Sequence, residues 1–186
     1  MNPASSADPL AATALLCIDA QTLFIRAITD GPVVQRRCAF ALAAAHGLGL
    51  RIVFSEQVPA KLGGTAPELL AAAPGAVALG KDRFSAVADD AIRAAVAPAE
   101  HLLLCGLETP ICVYQTAVDA LHSGLHVTIL SDAVGARRPD DAAACLAALR
   151  HAGAHVLPSE SVFYALLRDV RHPFFKTYTQ LVKSHG

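Results

Sequence analysis

His101-Leu102-Leu103-Leu104-Cys105-Gly106-Leu107-Glu108-Thr109-Pro110-Ile111-Cys112-Val113 joins a short apolar run to the start of an alanine-rich stretch. Glycine lets a backbone leave a strand sharply, and proline suits the first turn of a helix. The segment therefore reads as a strand (His101–Cys105), a tight turn and a helix (Ile111–Ser123). Working outward, similar apolar runs lie at Ala14–Ile18, Arg51–Phe54, Ala76–Leu79, His126–Leu130 and Ala154–Val156. Helical patterns fill the gaps at Val33–His46, Val87–Ala95, Asp140–His151 and Ser159–Leu167, and Gly47, Gly124 and Gly153 each follow a stretch of this kind, where helices commonly end. Strand and helix in alternation imply parallel strands joined by right-handed crossovers. The expected fold is a three-layer α/β/α domain around a doubly wound, Rossmann-like sheet of order 3-2-1-4-5-6. No repeat or linker interrupts it, so 13–186 reads as one domain behind a short flexible leader, Met1–Ala12.

Composition narrows the function classes. The 186 residues suffice for a full core, and 54% are hydrophobic against 17% charged, which suits helices packed on a buried sheet. Formal net charge is −1 and the 15 Lys and Arg form no basic run, so nucleic acid is not an expected partner. Apolar stretches such as Ala14–Ile18 stop far short of the ~20 residues a spanning helix needs. Met1–Ala12 has no basic residue ahead of its apolar part, unlike a secretory signal. Five cysteines, odd in number and without CxxC spacing, disfavour both a disulfide framework and a structural zinc site. A reducing cytoplasm fits this usage.

In open α/β sheets, sites form beyond the carboxyl ends of the strands. Three residues fall there. Cys112 follows the fourth strand near a helix N-terminus, where free amides and the dipole favour a thiolate. Cysteines in alanine-rich helices are more often packing, and Cys17, Cys38, Cys105 and Cys145 are read that way. The strand-turn-helix position favours chemistry for Cys112. Asp19 ends an apolar strand, where a carboxylate needs a partner; it equally could cap a turn with Gln21 and Thr22. Lys81, alone in a charged loop, reads as solvated. Together the three make sense: a carboxylate can take the thiol proton, and an ammonium between them stabilises both anions. In a 3-2-1-4-5-6 order the third strand is not beside the fourth, so the segment after Leu79 must lean back for Lys81 to reach the others.

At this point the sequence resembles the isochorismatase-like cysteine hydrolases. The resemblance rests on Leu16-Cys17-Ile18-Asp19-Ala20-Gln21-Thr22-Leu23-Phe24, on Gly80-Lys81-Asp82-Arg83-Phe84-Ser85-Ala86, and on Gly106 to Val113 continued by Thr116-Ala117-Val118-Asp119-Ala120. Ser55-Glu56-Gln57-Val58-Pro59-Ala60-Lys61-Leu62-Gly63 and His172-Pro173-Phe174-Phe175-Lys176 are similar to the isochorismatase domain-containing proteins. The resemblance implies Cys112 as nucleophile, Asp19 as base and Lys81 as stabilising cation. It also implies a cis Leu107–Glu108 peptide that aims the Glu108 and Cys112 amides into an oxyanion hole. Phe24, Gln57 and Phe84 are candidates for the pocket wall.

The implied activity is hydrolysis of a small carbonyl compound, amide-like, through a thioester. Vinyl-ether hydrolysis is the enzymatic alternative, and a non-catalytic oligomeric binding module of the same fold is the rival from another class. The metal-dependent nicotinamidase branch carries an Asp/His site, whereas Ser55–Gly63 has no histidine. No metal and no cofactor are therefore expected. Pro110 stands where relatives often carry a polar residue or histidine, which blocks any transfer of substrate specificity. The fold implied by the resemblance usually associates, and the alanine-rich surface agrees with a homo-oligomer.

Overall fold

Thr13–Ile18 (β1) is apolar after its first residue and buried throughout, the pattern of a strand covered on both faces. The computed structural model, which describes residues 9–185, sets it inside a six-stranded sheet. The other strands are β2 (Arg51–Gln57), β3 (Val77–Lys81), β4 (His101–Leu107), β5 (His126–Gly135) and β6 (His155–Leu157). Every neighbouring pair is parallel, as the alternation implies, and the order is the expected β3-β2-β1-β4-β5-β6.

Helices cover both faces. On one lie α1 (Thr22–Ala27), α2 (Gly31–Gly47), α4 (Pro67–Ala72), α8 (Ser159–Leu167) and α9 (Phe175–His185), with Phe40, Leu42, Leu69 and Phe163 fully buried between them and the sheet. The single-turn α3 (Pro59–Leu62) belongs to the β2–β3 connection. On the other face lie α5 (Asp90–Val96), α6 (Tyr114–His122) and α7 (Pro139–His151), over Ile92, Leu102, Leu104 and Ile129. None of the helices in the described residues is long and apolar enough to cross a membrane.

The differences from the sequence reading concentrate at the carboxyl ends of the strands. β2 continues to Gln57, β3 to Lys81, β4 to Leu107 and β5 to Gly135. Lys81 is thus the last residue of a strand and not part of a loop. The expected Ile111 helix begins as a π-helical turn, Thr109–Val113, before α6. α5 starts later than the apolar pattern, because Asp89 caps it by accepting from the Ala91 and Ile92 amides. The short α1, α3 and α4 and the C-terminal α9 are absent from the sequence reading. α9 is largely polar, yet its Tyr178 is fully buried, 5.8 Å from Phe40 and edge-on to Tyr164 at 4.9 Å between ring centres.

Of the leader expected over Met1–Ala12, residues 1–8 lie outside the described residues. Residues 9–12 turn into β1, with Thr13 Oγ1 donating to the Pro9 carbonyl at 2.7 Å. The Ala12 carbonyl accepts from the Glu100 and His101 amides.

Candidate active site

β1 ends at Ile18, which is in register with Ser55 of β2 on one side and Gly106 of β4 on the other. Asp19 then leaves the strand at φ 46°, a left-handed conformation that aspartate tolerates better than most side chains. Strained backbone of this kind persists only where the surroundings hold it. Here they do: the Asp19 amide donates to the Ser55 carbonyl at 3.0 Å, and Ser55 Oγ donates to Asp19 Oδ1 at 2.8 Å. Gly106 supplies the complementary relief on the other side. Its φ is +107°, and a Cβ there would stand 2.0 Å from the Ile18 carbonyl oxygen.

Lys81 reaches Asp19 from an edge strand. Strands lie about 4.8 Å apart, so two spacings separate β3 from β1. The lysine stem crosses the end of β2, where Gln57 is its register partner. Its ammonium donates to Asp19 Oδ2 at 2.7 Å, Gln57 Oε1 at 2.6 Å and the Arg83 carbonyl at 3.0 Å. All three N–H groups are thereby committed, and the Cys112 sulfur lies 3.8 Å away. Asp19 and Lys81 are 1% and 4% exposed, a buried pair whose charges compensate each other. Gln57 is itself anchored: its Nε2 donates to the Asp82 carbonyl, and its amide donates to Gln21 Oε1 at 2.6 Å.

Cys112 sits inside the π-helical turn. The Glu108 carbonyl accepts from the Ile111 and Val113 amides there, and Thr109 Oγ1 donates to the Gly135 carbonyl of β5. The Leu107–Glu108 peptide is cis. A cleft of about 380 Å³ opens over the sulfur, lined by Asp19, Leu23, Phe24, Ala27, Gln57, Phe84, Leu107, Glu108, Ile111, Cys112 and Arg137.

One expectation needs correction. A helix N-terminus was expected to favour a Cys112 thiolate. Instead, burial first and the neighbouring Asp19 charge second push the thiol up to about 12, against a smaller opposing pull from Lys81. The resting group is therefore S–H. Burial also raises Asp19 above the ordinary carboxylate range, although the Lys81 charge and its hydrogen bond work the other way.

The structure brings together Asp19, Lys81, Cys112 and Glu108, with Phe24, Gln57 and Phe84 on the same cleft. Sequence reasoning missed Ser55, Gln21 and Arg137. A polar residue at the buried end of β2 was the available signal for Ser55. In place of histidine, the Ser55–Gly63 segment offers polar groups already engaged: Ser55 Oγ donates to Asp19, Glu56 Oε1 accepts from the Thr65 amide, and Gln57 Oε1 accepts from Lys81. The metal-capable cluster among the described residues is elsewhere. Cys17, Cys38 and Cys105 have sulfurs within 4.8 Å of one another, buried in the layer under α2. Cys38 Sγ donates to the Ala133 carbonyl at 3.1 Å. Cys145, expected to be packing, is half-buried on α7.

Residues 13–161 match the family described as Isochorismatase domain. Isochorismatase domain-containing protein 2A of Mus musculus is 36% identical over 178 residues, covering 94% of this chain and 84% of the mouse protein. The solved structure of MAR1 ribonuclease from Caenorhabditis elegans superposes with a TM-score of 0.89 at 28% identity, over 96% of this chain and 93% of the nematode chain. The Escherichia coli YcaC gene product, an octameric hydrolase of unknown specificity, shares the fold with a TM-score of 0.82 at 21% identity, over 100% of this chain and 98% of its own. On the family match and the identity to the mouse protein, this chain belongs to the isochorismatase-like hydrolase family.

Proposed function

We propose that the protein hydrolyses a small carbonyl compound, amide-like, through a thioester on Cys112. The observation that carries this reading is a single contact set: one buried ammonium, Lys81, 2.7 Å from a carboxylate and 3.8 Å from a thiol at the floor of a cleft.

In the first step Asp19, made more basic by burial, takes the Cys112 proton as sulfur attacks the carbonyl carbon. The Glu108 and Cys112 amides hold the oxyanion, a contribution of roughly 10²–10³ in rate per donor. The tetrahedral species collapses when the leaving nitrogen takes the proton back from Asp19 and the C–N bond breaks. Asp19 then accepts a proton from water as water attacks the thioester, and the departing thiolate recovers that proton. The Lys81 ammonium, in contact with both, offsets whichever neighbour is anionic. Leu23, Phe24, Ala27, Phe84 and Ile111 make the walls mostly apolar, so the non-reacting part of the substrate is apolar and small enough for a cleft at the low end of the ligand-site range.

Vinyl-ether hydrolysis remains the second reading, because a buried carboxyl with a raised pKa can also deliver a proton to carbon. RNA enters through the name of the nematode relative, but net charge −1 and the small cleft favour a metabolite. A panel of small amides, vinyl ethers and a short RNA, assayed with wild type and Cys112→Ala, separates the three. The proposal expects amide turnover that is lost in Cys112→Ala. Vinyl-ether turnover that survives the substitution would replace it.

Homo-oligomeric association and a reducing, cytoplasmic setting belong to the same proposal. α7 buries Leu149 while Ala143, Ala144, Ala147 and Ala148 remain exposed, and all five cysteines are free thiols. Sedimentation showing a monomer at micromolar concentration would count against association.

A further inference from the structure

Arg137 and Arg138 follow β5 in tandem and turn in different directions. Arg138 pairs with Asp141 in the first turn of α7. Arg137 turns back over the cleft to Glu108, 29 residues earlier. Both oxygens of that carboxylate are held by the same residue: Oε1 accepts from Arg137 Nε at 2.8 Å, and Oε2 accepts from the Arg137 main-chain amide at 3.2 Å.

We infer that Arg137 is a positioning residue, which clamps the Glu108 side chain so that the Glu108 amide stays aimed at the developing oxyanion. The inference rests on the acyl-transfer reading above. A planar carboxylate held at both oxygens is restrained in its side-chain torsions, and that restrains in turn the Cα from which the amide departs. The rest of the segment is tied to neighbouring backbone. Leu107 is in register with Gly135, Thr109 Oγ1 binds the Gly135 carbonyl, and the Glu108 carbonyl takes the Ile111 and Val113 amides. The clamp therefore closes the remaining freedom, that of the Glu108 side chain. The Arg137 side chain is 55% exposed against 13% for Glu108. Exposed ion pairs contribute little to stability, so the consequence of the clamp lies in orientation. Displacements of about 1 Å at a reacting centre can cost about 10²-fold in rate.

The test compares two reactions of Cys112 in a Cys145→Ser background. p-Nitrophenyl acetate forms the Cys112 Sγ–acyl bond and expels p-nitrophenolate through an oxyanion, the thiol proton passing to Asp19. Iodoacetamide alkylates the same sulfur by displacing iodide, without an oxyanion. The ester is uncharged, so a lost pairing between Arg137 and substrate cannot mimic the effect. Arg137→Ala is expected to slow burst acylation about tenfold, part of the loss of one oxyanion donor, while alkylation stays within about twofold of wild type. Arg137→Lys, which keeps the charge but not the Nε donor on Oε1, should be intermediate, and Arg138→Ala should alter neither reaction. Glu108→Ala, which loses both contacts, should be at least as slow as Arg137→Ala, which keeps the main-chain amide on Oε2, and the double variant should be no slower than Glu108→Ala alone. Wild-type acylation in Arg137→Ala would overturn the clamp, as would equal losses in both reactions, which would mean general collapse of the cleft. A wild-type protein that alkylates at Cys112 but shows no acylation burst would overturn the acyl-transfer reading and the clamp with it.

Discussion

Lys81→Met removes one ammonium while keeping an unbranched stem of similar length. Asp19, 1% exposed, then loses its charged partner at 2.7 Å, and Gln57 Oε1 and the Arg83 carbonyl lose their donors. Breaking a buried ion pair from one side costs about 3–5 kcal/mol, a large part of the roughly 5–15 kcal/mol that holds a typical domain. Asp19→Asn combined with Lys81→Met leaves no buried charge and should recover at least half of that loss. The loss should also depend on pH. Burial already lifts Asp19 above its unfolded 3.8, and without Lys81 it rises further. A carboxyl with a raised folded pKa contributes stability below its unfolded pKa, which is lost as pH rises through the folded one. The deficit of Lys81→Met relative to wild type should therefore be small near pH 4 and full at neutral pH. Urea unfolding at a series of pH values measures it. A loss below about 1 kcal/mol at pH 7, or one that does not vary with pH, would refute the argument that Lys81 holds Asp19 ionised.

Alkylation of Cys112 in a Cys145→Ser background should accelerate steadily from pH 7 to pH 10, because the thiol titrates near 12; a plateau below pH 9 would contradict the burial argument. Cys17, Cys38 and Cys105, at most 1% exposed, should label only after unfolding, as peptide mapping would show. Activity should survive chelation, since the polar groups of Ser55, Glu56 and Gln57 are engaged with protein partners; restoration by zinc after its loss in EDTA would be the opposing result. Gly106→Ala should destabilise by about 3 kcal/mol or more, read by thermal unfolding, because its Cβ meets a backbone carbonyl that cannot step aside.

Strand and helix alternation made the layers and the parallel pairing legible, because buried parallel strands leave short apolar runs with little else to mean. The same run hid Lys81. A charged residue closing an edge strand looks solvated until Gln57, Asp19 and the Arg83 carbonyl surround its ammonium. The helix N-terminus argument for Cys112 used local sequence alone, whereas its proton affinity is governed by burial and by Asp19, both products of tertiary packing. Arg137 and Glu108 meet because β4 and β5 end side by side, a contact that 29 residues of intervening chain conceal. α9 eluded the hydrophobic pattern because Tyr178 alone on it is fully buried.

The central claim is a covalent intermediate on Cys112, and acid-quenched mass spectrometry during turnover of an amide or activated ester tests it most directly. The account predicts an acyl mass added to the peptide bearing Cys112, absent in Cys112→Ala and strongly reduced in Asp19→Asn, which lacks the base for acylation. Steady turnover by Cys112→Ala, or an acyl group found on a residue other than Cys112, would contradict it.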